Sequence, residues 1–231
     1  MSLNSSMGEW ADKRLYGAPV AVIDFETTGL SASDCRVIQV GIVHGNLGMG
    51  EPVVAYSGHI NPGCLIPEDS IRIHGITNED VRDAPSFEEA SADILRHLEG
   101  RVLCAYNLPF DFKFLNAELE RCGCDPLPWF GICGLVLSRY VDDEKERGYH
   151  RLEQVAERRG LSFKAHDAVE DAMVTARLLN ILLAQASKKW GSRFMHIREY
   201  WSFQRQHGIM QERGIRNNRN KRGRVWEWTD W

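Results

Sequence analysis

The chain has 231 residues, of which 43% are hydrophobic, and its formal net charge is −4. Such a chain suits one sizeable globular domain with an extension, and it excludes a membrane-spanning protein, because the longest apolar stretch, 178–186, is short and contains Asn180 and Gln185. The polar N-terminus has no hydrophobic signal-peptide core, which predicts a cytoplasmic location.

Three closely spaced strands are predicted first, over residues 18–25, 36–44 and 52–60. In the second, Ile38, Val40 and Ile42 alternate with other residues and share one face. Strands this close together indicate an antiparallel meander.

Helices and strands alternate further along the chain. After a loop with short helical pieces, Ser86 and Glu89 form a capping-box pattern, and another strand is expected at 102–106. The expected helices cover residues 86–98, 109–122, 131–141, 151–159 and 168–187. This order predicts an α/β fold with a mixed sheet. We divide the chain into a lead-in (1–17), a main domain (18–187) and a C-terminal extension (188–231).

The first strand ends in an Asp-x-Glu pair, Asp24 and Glu26. Alternate side chains of a strand share a face, so the two carboxylates point the same way. Buried together they repel each other and lose hydration, and a divalent cation would relieve both costs. The pair therefore predicts a metal site.

Further acidic residues stand at the starts of two predicted helices. Asp111 lies in the first turn of the helix that opens at Pro109, where a helix-dipole role is the simpler interpretation. Asp167 and Glu170 have capping-box spacing and hence a structural explanation. Capping does not explain Asp171. His166 stands just before the same predicted helix.

These motifs together resemble a known family. Asp-x-Glu-Thr-Thr-Gly, Asn-x-x-Phe-Asp and His-x-Ala-x-x-Asp occur here in the order of the three motifs of the DEDDh 3′–5′ exonucleases. The likeness is greatest to the branch of the proofreading epsilon subunit of bacterial DNA polymerase III, and it covers roughly residues 18–186. It implies a ribonuclease H-like fold, a mixed β-sheet flanked by helices.

The resemblance also implies a two-metal mechanism. Two Mg²⁺ or Mn²⁺ ions are expected on four carboxylates, those of Asp24, Glu26, Asp111 and Asp171. His166 is expected to be the general base that takes a proton from the attacking water. The expected products are nucleoside 5′-monophosphates released from a 3′ end.

The turn after the first strand is expected to face the terminal nucleotide. Thr27, Thr28 and Gly29 would line the 3′ end, and Leu30 would wedge against the last base. An ordinary strand-ending turn is the alternative. His74 either borders the nucleotide or sits in a loop. For Asn107 we favour a helix cap over a substrate contact.

The extension is basic and aromatic. Residues 187–231 contain eleven Lys/Arg and four Asp/Glu, a net +7 that leaves −11 for the rest, and they hold five of the seven tryptophans. We expect a partly ordered segment that aids nucleic-acid binding. Packing of 196–206 as a helix on the domain, or docking to a DNA polymerase or another protein, are the alternatives.

Three functions fit the sequence. A metal-dependent 3′–5′ exonuclease acting on DNA is favoured, with an RNA-trimming exonuclease or oligoribonuclease as the alternative. A non-catalytic nucleic-acid or polymerase-binding subunit is the third, although it would be free to lose the acidic residues and His166. The six cysteines have no zinc-site spacing and are expected to be reduced.

Overall fold

A computed structural model describes residues 11–128, 130–142, 150–190 and 196–205. A five-stranded mixed sheet forms its centre, with the strand order β3-β2-β1-β4-β5. The strands are β1 (Pro19–Thr27), β2 (Val37–Asn46), β3 (Met49–His59), β4 (Val102–Ala105) and β5 (Ile132–Cys133). The mixed sheet flanked by helices confirms the predicted fold class.

The first three strands form the predicted antiparallel meander. β1 pairs with β2 from Pro19↔Asn46 onwards, and β2 continues into β3 through a tight turn. Gly48 in that turn has φ +72, and the ring of Tyr16 lies where a side chain would project. Both conditions favour glycine, which fixes the hairpin at this point.

The other two strands run parallel to β1. β4 pairs directly with β1, and β5 pairs with β4. All four residues of β4 are buried, as is usual for a central parallel strand. The carboxyl ends of β1 and β4 therefore lie at the same edge of the sheet.

Seven helices lie within the described residues. They are α1 (Glu68–His74), α2 (Phe87–Leu98), α3 (Leu108–Arg121), α4 (Gly134–Val141), α5 (Leu152–Glu157), α6 (Ala168–Trp190) and α7 (197–205). α6 packs against β1, β2 and β3, and α3 packs against β1, β4 and β5. The capping box predicted at Ser86 and Glu89 is confirmed, since each side chain accepts from the other residue's backbone N–H.

Two parts of the prediction differ from the structure. Residues 132–133 pair with β4 as a strand, so the helix expected from residue 131 begins only at Gly134. The predicted boundary at residue 187 falls inside α6, which continues to Trp190.

The first part of the predicted extension packs on the domain. Ile197, Tyr200 and Phe203 of α7 are buried in the main hydrophobic core. For 197–205 this supports packing on the domain, the alternative weighed for this segment, because the apolar face of the helix is used for packing. The basic and aromatic residues after residue 205 lie outside the described residues.

The side chain of Gln204 covers the outer edge of β5. Its Oε1 accepts from the backbone N–H of Cys133 at 2.8 Å, and its Nε2 donates to the carbonyl of Gly131 at 3.1 Å. The hydroxyl of Tyr200 donates to the carbonyl of Cys133. Side chains of α7 thus satisfy backbone groups that a further strand would otherwise pair.

All six cysteines are unpaired, as predicted. Among the described helices, none combines the length and the apolar character that crossing a membrane requires.

Candidate active site

Asp24 and Glu26 lie near the end of β1 and point to one face of the sheet. Their register partners on β2 are Gly41 and Gln39. Partners in an antiparallel pair point to the same face, and Gln39 there contacts the first residue of α6. The two carboxylates therefore face the side on which α6 packs.

Asp111 reaches the same place from α3. Its Oδ1 accepts a hydrogen bond from the backbone N–H of Phe25 at 3.2 Å, between the two acids of β1. Phe114 and Leu115 are fully buried and hold α3 against the sheet. Asp111 is 3% exposed, so a helix-dipole role at the surface does not describe it.

Asp171 lies one turn into α6, whose first residues are fixed to β2. Asp167 caps the helix as predicted, because its Oδ1 accepts from the backbone N–H groups of Val169 and Glu170. The N–H of Ala168 donates to Oε1 of Gln39 at 3.0 Å.

The absence of a side chain at Gly41 permits this approach of α6. A Cβ at that position would lie 2.2 Å from the carbonyl oxygen of Ala168. Gln39 and Gly41 together therefore set the depth at which α6 meets the sheet, and with it the position of Asp171.

His166 stands immediately before α6 in an uncommon conformation. Its φ is +63°, in the left-handed region of backbone conformation that residues other than glycine rarely adopt. One donor atom each from Glu26, His166 and Asp171 lie within 4.8 Å of one another. The structure thus brings His166 and Asp171 of the third motif close to Glu26 of the first.

The carboxylates perturb one another strongly. Burial, followed by repulsion from Asp171 and Asp167, raises the pKa of Glu26 to about 8. Burial and repulsion from the neighbouring acids raise the pKa of Asp171 to about 7. The pKa values of Asp24 and Asp111 are also raised, first by burial and then by the neighbouring acids. All four predicted carboxylates therefore belong to one cluster.

This cluster suits divalent cations. Oδ1 of Asp171 is buried and has no hydrogen-bond partner, a costly state that a cation would relieve. Oxygen donors with a single imidazole match the ligand preference of Mg²⁺ or Mn²⁺. The residues present fit the metal centre that the family implies.

The turn after β1 is held rigidly by its own side chains. The hydroxyl of Thr27 donates to the carbonyl of Gly29 at 2.6 Å, and the hydroxyl of Thr28 accepts from the N–H of Arg36 at 2.9 Å. A Cβ on Gly29 would lie 2.7 Å from Sγ of Cys35, so a larger residue here would have to displace that side chain. Leu30 is 88% exposed, unlike the rest of the turn.

His74, at the end of α1, lies near the cluster. Its Nδ1 accepts from the N–H of Ile76, and its buried Nε2 has no hydrogen-bond partner. Burial and then the nearby His166 lower its pKa. Ser70 of the same helix donates to the carbonyl of Thr28, which fixes α1 to the turn. His74 is therefore a neighbour of the site, which favours the first of its two interpretations.

The prediction of Asn107 as a helix cap is confirmed in position only. The residue occupies the N-cap position of α3, but its side chain makes no capping hydrogen bond. Pro109 has no N–H to offer, and the N–H of Phe110 bonds to the carbonyl of Asn107 instead.

The sequence motifs did not indicate the residues that position the site without serving as ligands themselves. Gln39 and Gly41 interrupt an apolar strand, and that interruption was the available signal. Glu153 on α5 was missed as well, although its Oε1 lies 3.7 Å from Nε2 of His166. No local pattern connects residues 153 and 166, because only the folded chain places them together.

Comparison with known proteins gives a consistent result. The model of the exonuclease family, RNase_T, matches residues 21–179. The chain is 34% identical over 169 residues to the DNA polymerase III subunit epsilon of Treponema pallidum, which covers 73% of this chain and 78% of that protein.

Two further matches cover smaller shares of the other protein. The chain is 33% identical over 183 residues to the PolC-type DNA polymerase III of Thermotoga petrophila, covering 78% of this chain and 13% of that protein. The crystal structure of E. coli exonuclease I in complex with a dT13 oligonucleotide superposes with a TM-score of 0.64 at 20% identity, covering 77% of this chain and 43% of that one. The last match concerns the fold alone.

Proposed function

The chain belongs to the exonuclease family and is a 3′–5′ exonuclease, and on that premise we propose that it shortens DNA with two divalent cations. The observation that carries the proposal is the convergence of four carboxylates, three of them buried, and one histidine near the end of β1. Enzymes of this family depend on divalent metal, and we propose Mg²⁺ or Mn²⁺ as the ions.

Asp24, Glu26, Asp111 and Asp171 are the proposed ligands. When bound, the two cations would activate the attacking water and stabilise the leaving 3′ oxygen. The four carboxylates carry the negative charge that such ions require. Their raised pKa values reflect the lack of a compensating positive charge in the protein alone. The hydrogen bond from Phe25 orients Asp111, and the cap at Asp167 orients the turn that carries Asp171.

His166 is the proposed general base. Its imidazole is half-exposed and lies beside Glu26 and Asp171, so it can accept a proton at the site and return it to solvent. The left-handed backbone at His166 directs the side chain while leaving the start of α6 intact.

The turn from Thr27 to Leu30 is the proposed binding site for the terminal nucleotide. Its rigid backbone is fixed by Thr27, Thr28 and Ser70, and it presents Leu30 as an exposed apolar side chain for the last base. We propose that His74 borders the same nucleotide. The products are nucleoside 5′-monophosphates.

DNA is the favoured substrate because two similar proteins are a DNA polymerase III subunit and a PolC-type DNA polymerase III. For the same reason we propose association with a DNA polymerase. RNA remains the alternative substrate, to be decided by experiment.

The test uses a 3′-labelled DNA and an RNA of matching sequence with Mg²⁺ or Mn²⁺. We expect mononucleotide release from DNA that is faster than from RNA and stops when a chelator is added. We also expect loss of release in Asp24→Ala, and in His166→Ala a loss of turnover with Mn²⁺ binding retained. Faster RNA turnover would reverse the substrate assignment, and equal activity of wild type and Asp24→Ala would refute the proposed site.

A further inference from the structure

Glu153 lies on α5, outside the three sequence motifs, yet its carboxylate faces the proposed base. Its Oε1 is 3.7 Å from Nε2 of His166, a distance at which an ion pair forms when the imidazole is charged, although it is too long for a hydrogen bond. The side chains of Glu153 and His166 are 43% and 46% exposed. The pair therefore sits at the open side of the site.

The fold fixes both ends of this contact. α5 is anchored by the fully buried Val155 and Ala156, so the backbone at residue 153 is held next to the core. His166 is held by its left-handed backbone and by the start of α6, where Ala168 is bonded to Gln39. Two independently anchored segments therefore bring the carboxylate and the imidazole together.

The charges around His166 give the carboxylate of Glu153 a direct influence on the imidazole. The imidazole has carboxylates on two sides, Glu26 and Asp171 towards the cluster and Glu153 towards solvent. With cations on the cluster, the inner acids are compensated by metal, while Glu153 has no metal to share. Glu153 then becomes the carboxylate left to attract and orient the imidazole.

We propose that Glu153 is a positioning residue for His166, holding the imidazole in the orientation in which it accepts a proton from water. This inference rests on the proposed function. In this proposal the carboxylate acts through the histidine and is not itself a metal ligand. The arrangement follows a general rule, in which a neighbouring carboxylate fixes the orientation of a catalytic or metal-bound imidazole.

The experiment measures kcat and KM on a 3′-labelled oligonucleotide at saturating Mn²⁺. Glu153→Gln removes the charge at nearly constant size, and we expect kcat to fall about tenfold with KM unchanged. Glu153→Asp keeps the charge and should recover part of the loss. Glu157→Gln is the matched control, since it removes an exposed carboxylate one turn further along the same helix.

A double-mutant cycle isolates the action through the histidine. In a His166→Ala background, Glu153→Gln should cause no further loss of kcat. Mn²⁺ affinity, measured by calorimetry on the same variants, should be unchanged by Glu153→Gln. An equal loss of kcat in both backgrounds would overturn the proposal, and a loss of Mn²⁺ affinity would do so by making Glu153 part of the metal site.

Different experimental results would refute this inference and the proposed function. If His166→Ala retained full turnover, the assignment of the base would fall, whatever Glu153 does. If His166→Ala lost turnover while Glu153→Gln matched wild type, only the positioning role would fall.

Discussion

The backbone N–H of Phe25 donates a hydrogen bond to Oδ1 of Asp111 at 3.2 Å, which fixes an acid of α3 to the strand between Asp24 and Glu26. This contact uses a lone pair of the carboxylate but does not remove its charge. Position and charge of Asp111 can therefore be separated by mutation.

Asp111→Asn should keep the contact, because an amide oxygen also accepts from Phe25, while the repulsion between the acids decreases. In the presence of a chelator we expect the free energy of unfolding, measured by urea denaturation, to rise by about 1–2 kcal/mol. With Mn²⁺ we expect exonuclease activity to fall by roughly a hundredfold or more. Asp125→Asn, at an exposed acid, is the control, and a destabilised Asp111→Asn would contradict the repulsion argument.

The stability of the metal-free protein should depend on pH. The pKa values of Glu26 and Asp171 are raised in the folded state, to about 8 and about 7, so the folded protein binds more protons than the unfolded chain over this range. The stabilisation from these groups is complete below pH ~4 and is lost as the pH rises through 7 and 8. Each group contributes a slope of up to about 1.4 kcal/mol per pH unit.

Urea denaturation in chelator at pH 5, 6, 7 and 8 measures this slope. Saturating Mn²⁺ should flatten it, because the cation replaces the protons on the carboxylates. In the presence of a chelator, Asp171→Asn should reduce the slope of stability against pH. Glu99→Gln, at an exposed acid, should leave this slope unchanged. A stability that increased with pH over this range would refute the assignment of raised pKa values.

Gly41→Ala should displace the start of α6. The added Cβ would meet the carbonyl oxygen of Ala168 at 2.2 Å, and backbone on both sides leaves no flexible atom to yield. We expect a loss of about 1–3 kcal/mol in the free energy of unfolding, together with a fall in kcat as Asp171 moves. The matched control is Gly45→Ala in the same strand, where the nearest atom lies at an ordinary 3.6 Å. Equal stability of the two variants would contradict this account.

The sequence predicted the carboxylate pair of β1 because the two-residue period of a strand is local. It could not place Asp111 and Asp171 beside that pair from spacing alone, and their roles came from family resemblance. Asn107 was placed correctly at the start of α3, but its side chain makes no capping bond, and Pro109 has no N–H to donate to it. β5 was missed because two residues are too few to show a period.

Gln204→Leu should weaken the contact between α7 and the sheet. The substitution leaves the N–H of Cys133 and the carbonyl of Gly131 buried without partners, at an expected cost of about 1–3 kcal/mol in the free energy of unfolding. Thermal and urea unfolding measure the loss, and Arg205→Ala, at the adjacent exposed residue, is the control. A stability equal to wild type would show that water replaces the amide.

The contacts of α7 also bear on how this chain folds during synthesis. All four carboxylates and His166 precede residue 172. Among the described residues, Tyr200 and Gln204 cover the outer edge of β5, and the N–H of Ile197 bonds to the carbonyl of Lys13. A nascent chain that ends before α7 therefore carries all five residues of the proposed active site on a sheet whose β5 edge is uncovered. Residue 204 must leave the ribosome before α7 can reach both Lys13 and β5 and cover that edge.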